Sequence, residues 1–134
     1  MGPEVTDTKR ILLLGAGLVT RPLVKYLLDI PEFLLTIATR TATKGYALVG
    51  DHPRGMVEQF DIEKNPEELE NLVQQHDLAI SLLPAMHHPK VAEACIKFGK
   101  QMVTTSYVSP AMKALDGPAR EKGIVILNEI GLDP

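Results

Sequence analysis

The 134 residues are enough for one globular domain with a buried core, and 45% of them are hydrophobic. The net charge of −3 argues against a nucleic acid or an anionic membrane surface as a partner, and no apolar run reaches the roughly 18 residues of a membrane-spanning helix. Cys95 is the single cysteine of the sequence, so no disulfide can form within the chain, and the polar start carries no apolar signal core. These features predict a cytoplasmic protein.

Short apolar segments alternate with segments of helical periodicity along the whole chain. In chain order we predict a strand (Arg10 to Leu14), a helix (Leu18 to Ile30), a strand (Leu35 to Thr39), a helix (Ala42 to Val49), a strand (Met56 to Phe60), a helix capped by Asn65 (Pro66 to Gln75), a strand (Leu78 to Leu83), a helix (Pro89 to Phe98), a strand (Met102 to Thr105), a helix (Pro110 to Lys122) and a strand (Ile124 to Leu127). Such alternation predicts a three-layer α/β domain over residues 1–134, with a doubly wound parallel sheet of six strands.

A glycine-rich turn links the first predicted strand to the first predicted helix, over residues 15–20. Gly15 permits the tight turn, and Gly17 lets the backbone approach a pyrophosphate at the helix N-terminus. The third position of this motif, usually Gly or Ala, is Thr20, which weakens the match. The alternative is an ordinary strand–helix turn with two glycines. The turn predicts a dinucleotide-binding (Rossmann) domain, and the cofactor contacts expected here are Gly15, Gly17, Leu18 and Val19.

The end of the second predicted strand indicates which dinucleotide is bound. Domains that bind NAD place an acidic residue about 20 positions after the glycine turn to hold the ribose 2′-hydroxyl. Here Arg40 stands 23 residues after Gly17, between Thr39 and Thr41, and no carboxylate occupies that strand end. A guanidinium binds a 2′-phosphate in bidentate fashion, and the two threonines add hydroxyl groups. We therefore predict NADP as the cofactor; the alternative is a solvated surface arginine.

Two other strand ends supply candidate cofactor contacts. Asp61 follows the third strand, where it either lies near the adenine amine or caps a turn. The segment after the fourth strand lies at the carboxyl edge of the sheet, where such folds bind ligands; its candidate contacts are Ser81, Leu82, Leu83 and Pro84. His87 and His88 come next and are predicted to begin a helix. A metal site is not expected, because no matching cluster of ligands accompanies them.

Five motifs, in this order, carry a resemblance that covers almost the entire chain: Gly15-Ala16-Gly17, Thr39-Arg40-Thr41, Ser81-Leu82-Leu83-Pro84 with His88-Pro89, Thr105-Ser106-Tyr107-Val108-Ser109-Pro110, and Asn128-Glu129-Ile130-Gly131-Leu132-Asp133-Pro134. The chain resembles the N-terminal part of the saccharopine dehydrogenase family of the glutamate-forming type, also called saccharopine reductase. The last two motifs are the most specific, and the first is generic.

The resemblance implies an NADP-dependent oxidoreductase of lysine metabolism. Its reaction concerns the CH–NH bond that joins glutamate to the lysine-derived aminoadipate semialdehyde, so the small-molecule substrate is saccharopine or a related amino acid. The resemblance also places Ser106, Tyr107 and Asp133 on the substrate side, with Asp133 and Tyr107 as candidates for proton transfer. Alternatively, Asp133 only positions the substrate and Tyr107 only fills the cleft.

The same resemblance implies a homodimer for the full-length enzyme, with a substrate-binding and dimerising domain after Pro134. The 134 residues alone are therefore expected to bind the cofactor without turning over substrate. Two other functions stay open at this point. One is a related imine reductase, such as homospermidine synthase or carboxynorspermidine dehydrogenase; the other is a stand-alone nucleotide-sensing regulatory domain, although such domains usually carry an acidic residue where Arg40 stands.

Overall fold

The computed structural model describes residues 8–16, 20–104 and 110–127. Within these ranges the strands are β1 (Lys9–Leu14), β2 (Phe33–Thr39), β3 (Gly55–Gln59), β4 (Leu78–Ser81), β5 (Gln101–Thr104) and β6 (Ile126–Leu127). The helices are α1 (Thr20–Leu28), α2 (Ala42–Val49), α3 (Glu68–Gln74), α4 (His88–Phe98), α5 (Pro110–Ala114) and α6 (Asp116–Glu121), and a 3-10 turn (Ala85–His87) precedes α4. No helix in these ranges is long and apolar enough to cross a bilayer.

The strands form one parallel sheet in the order β3-β2-β1-β4-β5-β6. Five of them have four to seven residues, and β6 has two. The chain proceeds outward from β1 to β3 and then returns to the other side of β1 as β4. The predicted doubly wound parallel sheet is thereby confirmed. The reversal between β1 and β4 is the position at which sheets of this kind bind ligands.

Two separate cores cover the two faces of the sheet. On β1, Ile11 and Leu13 belong to one core together with buried residues of α1 and α2. Leu12 and Leu14 belong to the other core, which contains buried residues of α3, α4 and α5. Because successive side chains of a strand point to opposite faces, the continuous apolar sequence of β1 is what a strand covered on both sides requires. The predicted three-layer arrangement follows from these two cores.

The segment after β5 departs most from the prediction. One helix was expected from Pro110 to Lys122, but the structure has α5 and α6, which are separated at Leu115. Pro118 lacks the N–H that would donate to the carbonyl of Ala114 in a continuous α-helix, and its ring disfavours that conformation. The apolar periodicity of the segment is continuous, so periodicity alone does not reveal this break.

Four other elements are shorter than predicted, and one of them is α1, which ends at Leu28 rather than Ile30. α3 begins at Glu68, because the preceding residues form a turn in which the Asn65 carbonyl accepts from the Glu68 N–H at 3.1 Å. The N-cap of α3 is therefore Glu67 rather than Asn65. β4 ends at Ser81, and β6 covers only Ile126–Leu127.

An arginine just before β3 is hydrogen-bonded to the C-terminal end of α1. Arg54 Nη1 donates to the carbonyl oxygens of Ile30 and Phe33 at 2.5 and 2.9 Å, and Nη2 donates to that of Leu28 at 2.6 Å. The last carbonyls of a helix have no partners within the helix and attract cations. Arg54 thus supplies hydrogen-bond donors to carbonyl groups at the end of α1 and in the link to β2.

Candidate functional site

A cavity of about 240 Å³ opens at the carboxyl ends of β1, β2, β3 and β4. Its volume lies below the roughly 300–1,000 Å³ of pockets that enclose a drug-sized ligand, so it suits one end of a dinucleotide rather than the whole molecule. The residues that line it come from four strand ends, from the first turn of α2 and from the turn after β4: Gly15, Ala16, Thr39, Arg40, Thr41, Lys44, Phe60, Asp61, Ile62, Glu63, Leu82, Leu83, Pro84 and His87. The sheet therefore brings together most of the described residues predicted to bind the cofactor.

The first turn of the site depends on Gly15. Its φ is +96°, and its N–H donates to the Ala38 carbonyl at 2.9 Å. A Cβ atom at this position would lie 3.3 Å from the carbonyl carbon and oxygen of Leu82, so a side chain is disfavoured by both conformation and space. The turn consequently packs directly against the chain after β4. The predicted contacts Gly17, Leu18 and Val19 lie outside the described residues.

Positively charged side chains line the cavity near the end of β2. Arg40 and Thr41 are exposed, and Lys44 joins them on the cavity wall from the first turn of α2. A second recess beside the cavity is lined by Arg40, Thr41 and Lys64, among other residues. Thr41 is the N-cap of α2 and makes no side-chain capping bond, so its hydroxyl is not used by the helix. This corner offers positive charge, a hydroxyl group and a helix N-terminus to an anion.

Thr39 has a different place in the same corner. Its side chain is buried, and its Oγ1 accepts a hydrogen bond from the Thr41 N–H at 3.3 Å. This bond holds the turn between β2 and α2 and directs the two residues after Thr39 towards the cavity. Lys44 was not predicted from the sequence. Its spacing from Thr41, three residues along a helix, was the signal that could have identified it.

Asp61 occupies the cavity wall and also stabilises a turn. Its Oδ1 accepts from the N–H of Glu63 at 2.9 Å and from that of Lys64 at 3.4 Å. Its main-chain carbonyl accepts from the N–H of Asn65 at 2.8 Å. The turn alternative considered for Asp61 is therefore present in the structure, and the proximity to adenine stays a prediction.

The residues after β4 divide between the cavity and the core. Leu82, Leu83 and Pro84 line the cavity, whereas Ser81 does not. Ser81 is fully buried, and its Oγ is hydrogen-bonded to His88 Nδ1 at 2.8 Å; His88 Nε2 is hydrogen-bonded to Thr104 Oγ1 at 2.8 Å. Burial lowers the pKa of His88, with neighbouring His87 as a smaller cause. A neutral ring thus joins β4, α4 and β5 beneath the site, and sequence analysis did not identify this role.

His87 lies on the cavity wall with a polar atom that has no partner. Its side chain is only 7% exposed, and its Nε2 lies 3.6 Å from Glu63 Oε2. Its Nδ1 is buried and makes no hydrogen bond to any of the described residues. Since buried polar atoms are rarely left without a partner, this nitrogen is an unusual feature of the site.

Metal binding and thiol chemistry find no support in the part of the chain that the structure describes. No group of three or more His, Cys, Asp or Glu residues there is placed to hold a metal ion. Cys95 is fully buried, and burial raises the pKa of its thiol to about 12. A thiol of this kind stays protonated and is inert as a nucleophile. The predicted substrate-side residues Ser106, Tyr107 and Asp133 lie outside the described ranges.

Comparisons with known proteins agree with this geometry. Residues 11–127 match the family described as the saccharopine dehydrogenase NADP binding domain. The chain is 42% identical over 124 residues to the saccharopine dehydrogenase [NADP(+), L-glutamate-forming] of Schizosaccharomyces pombe, and the match covers 92% of this chain and 27% of that protein. It is 37% identical over 131 residues to the mitochondrial alpha-aminoadipic semialdehyde synthase of Rattus norvegicus, covering 98% of this chain and 14% of the relative.

Solved structures give the same result. The apo saccharopine dehydrogenase (L-Glu forming) of Saccharomyces cerevisiae superposes with a TM-score of 0.84 at 35% identity, covering 94% of this chain and 28% of that one. The biliverdin reductase of Synechocystis superposes with a TM-score of 0.69 at 20% identity, covering 89% and 37%, which shows a shared fold alone. The chain thus spans about a quarter of the length of the fungal relatives that it matches. The family match confirms the predicted resemblance and the predicted cofactor, NADP, and the chain belongs to the family of saccharopine dehydrogenase NADP-binding domains.

Proposed function

We propose that the cavity binds the adenosine half of NADP(H), with the 2′-phosphate at the cationic corner formed by Arg40, Thr41 and Lys44. The observation that carries this proposal is that two cations and a free hydroxyl share the end of β2, where an NAD-binding domain would place a carboxylate. The fit of Gly15 against Leu82 supports it further, because the absence of a Cβ leaves backbone beside the position expected for the pyrophosphate.

The whole protein, in this proposal, catalyses the NADP-dependent oxidation or formation of the CH–NH bond between glutamate and aminoadipate semialdehyde. The bound nicotinamide supplies or accepts the hydride in such a reaction. The described residues bind and orient the adenosine end, while Ser106, Tyr107 and Asp133 stay predictions for substrate binding and proton transfer. The family match favours this activity over the related imine reductases and over the nucleotide-sensing domain.

The partners and the location also stay predictions. A homodimer is expected of the full-length enzyme and is tested by sedimentation of a chain as long as the fungal relatives. A cytoplasmic location is tested by imaging that chain in its native cells. The location needs its own measurement, because the rat relative is named a mitochondrial protein.

Calorimetric titration tests the cofactor proposal. NADPH and 2′,5′-ADP should bind clearly more tightly than NADH, and Arg40→Ala should weaken both by roughly 10- to 100-fold, since hydrogen bonds to charged groups contribute about 1.5–3 kcal/mol. NADH binding should change little. Arg120→Ala is the matched control, because Arg120 is an exposed arginine of α6 outside the cavity lining. Preferential binding of NADH, or equal effects of the two variants, would contradict the assignment of Arg40.

A further inference from the structure

The contact between Glu63 and His87 crosses the site from one side to the other. Glu63 follows β3, and His87 ends the 3-10 turn after β4. In the sheet these two strands are separated by β2 and β1, yet Glu63 Oε2 and His87 Nε2 lie 3.6 Å apart. The contact therefore passes over the ends of the two middle strands. Both residues line the cavity.

The chemistry of this contact determines what His87 can offer a ligand. A carboxylate beside Nε2 favours the tautomer that carries its proton on Nε2. In that tautomer Nδ1 is an acceptor, and it is the nitrogen that has no partner among the described residues. A buried acceptor without a hydrogen bond raises the free energy of the folded protein. A ligand that donates to Nδ1 therefore gains more binding free energy than one that donates to an acceptor already hydrated by water.

The position of His87 limits which part of the cofactor could bring that donor. With the 2′-phosphate at Arg40 and the pyrophosphate at the first turn, we expect the adenine base to lie against the part of the cavity lining that includes Asp61 and His87. The exocyclic N6 amine is the hydrogen-bond donor of adenine, whereas N7 is an acceptor. Asp61 lies on the same wall; its Oδ1 accepts from the N–H groups of Glu63 and Lys64, so its Oδ2 is the competing acceptor for the amine.

We propose that His87, oriented by Glu63, recognises the adenine base by accepting a hydrogen bond from its N6 amine at Nδ1. In the structure Nδ1 is buried, so this bond requires the ring to turn about its Cβ–Cγ bond and the exposed Glu63 side chain to follow Nε2. This inference rests on the proposed binding of NADP(H), and it adds a residue that selects the base rather than the 2′-phosphate.

The test compares NADPH with its hypoxanthine analogue, in which a carbonyl oxygen replaces the N6 amine. The wild-type chain should bind the analogue about tenfold more weakly, the effect of one hydrogen bond at a buried acceptor. His87→Phe keeps a planar ring without the acceptor, so it should bind the two dinucleotides within about twofold of each other. His87→Gln retains an acceptor and should retain part of the discrimination.

Two carboxylate variants separate the roles on this wall. Glu63→Gln should reduce the discrimination, because the amide no longer favours the proton on Nε2. Asp61→Asn tests the competing assignment, in which Asp61 rather than His87 accepts from the N6 amine. Glu93→Gln, on the exposed side of α4, is the matched control for the loss of a surface carboxylate. Circular dichroism verifies the fold of each variant. If His87→Phe does not fold, His87→Gln and Glu63→Gln provide the test.

The outcomes distinguish this inference from the proposed function. If the wild-type chain binds NADPH and its analogue equally, or if only Asp61→Asn removes the discrimination, His87 does not recognise adenine while the NADP assignment stands. If neither dinucleotide binds, the proposed function itself fails. Discrimination that is lost in His87→Phe or reduced in Glu63→Gln, and kept in Asp61→Asn, supports the inference.

Discussion

Mild acid should destabilise this fold through His88, which is buried between Ser81 and Thr104. Burial lowers the pKa of His88 from its ordinary value of 6.5. The unfolded chain therefore takes up a proton near that value, whereas the folded chain resists protonation until a lower pH. The stability that this group contributes is complete above pH 6.5 and is lost as the pH falls below it.

The size of the effect follows from linkage. Between pH 7.5 and pH 5.5 an unperturbed histidine changes from about one-tenth to about nine-tenths protonated. If the folded ring stays neutral over this range, the free energy of unfolding falls by about 1.4 kcal/mol, which is the upper limit for one histidine. His76 adds up to the same amount, because its pKa is also lowered, chiefly by burial.

The assay is urea unfolding at the two pH values, followed by far-ultraviolet circular dichroism. His88→Gln should reduce the loss of stability between pH 7.5 and pH 5.5 by up to about 1.4 kcal/mol relative to the wild-type chain. His52→Gln, at the turn before β3, is the matched control for the loss of a histidine elsewhere in the chain. Contributions from carboxylates cancel in this comparison. An identical pH dependence in the wild-type chain and in His88→Gln would refute the reasoning.

Two substitutions test the framework of the site. Gly15→Ala should lower the free energy of unfolding by about 1–3 kcal/mol, because the φ of +96° is strained for alanine and its Cβ would crowd the Leu82 carbonyl. It should also weaken NADPH binding. A variant equal to the wild type in urea unfolding and calorimetry would contradict this. Arg54→Met keeps the length of the side chain but loses the bonds to the carbonyls of Leu28, Ile30 and Phe33. We expect a loss of about 2 kcal/mol in urea unfolding, since bonds from a charged donor are stronger than neutral ones, with Arg120→Met as the exposed control; equal stability of the two variants would show that these bonds contribute nothing.

Much of the fold could be predicted because its determinants are local. The continuous apolar run of β1 can be recognised within a few residues of sequence, and so can the glycines after α2 and α4, Gly50 and Gly99. α2 has the predicted bounds. The break between α5 and α6 was missed because the apolar spacing on both sides of Pro118 is that of a single helix. Local signals thus predicted the elements better than they predicted where the elements end.

The candidate site could be predicted only where one residue carries the chemistry. The sequence predicts a role for Arg40 because the residue at this strand end distinguishes the two dinucleotides; Arg40 lines the cavity, and its contact with the 2′-phosphate stays a prediction. The contact of His87 with Glu63 was not predicted, because these residues are 24 positions apart and follow two strands that are not neighbours in the sheet. Such a contact becomes apparent only once the strand order is known. Ser81 was assigned to the cofactor because it ends a strand, whereas the structure turns its hydroxyl towards His88.

The position of β1 has a consequence for how the domain unfolds. Each of its faces supplies side chains to a different core, and its two edges are hydrogen-bonded to β2 and β4. If β1 left the sheet, the apolar cores on both faces would lose side chains, because both cores include residues of this strand. We therefore expect the residues before β4 and those from β4 onward to unfold as one cooperative unit.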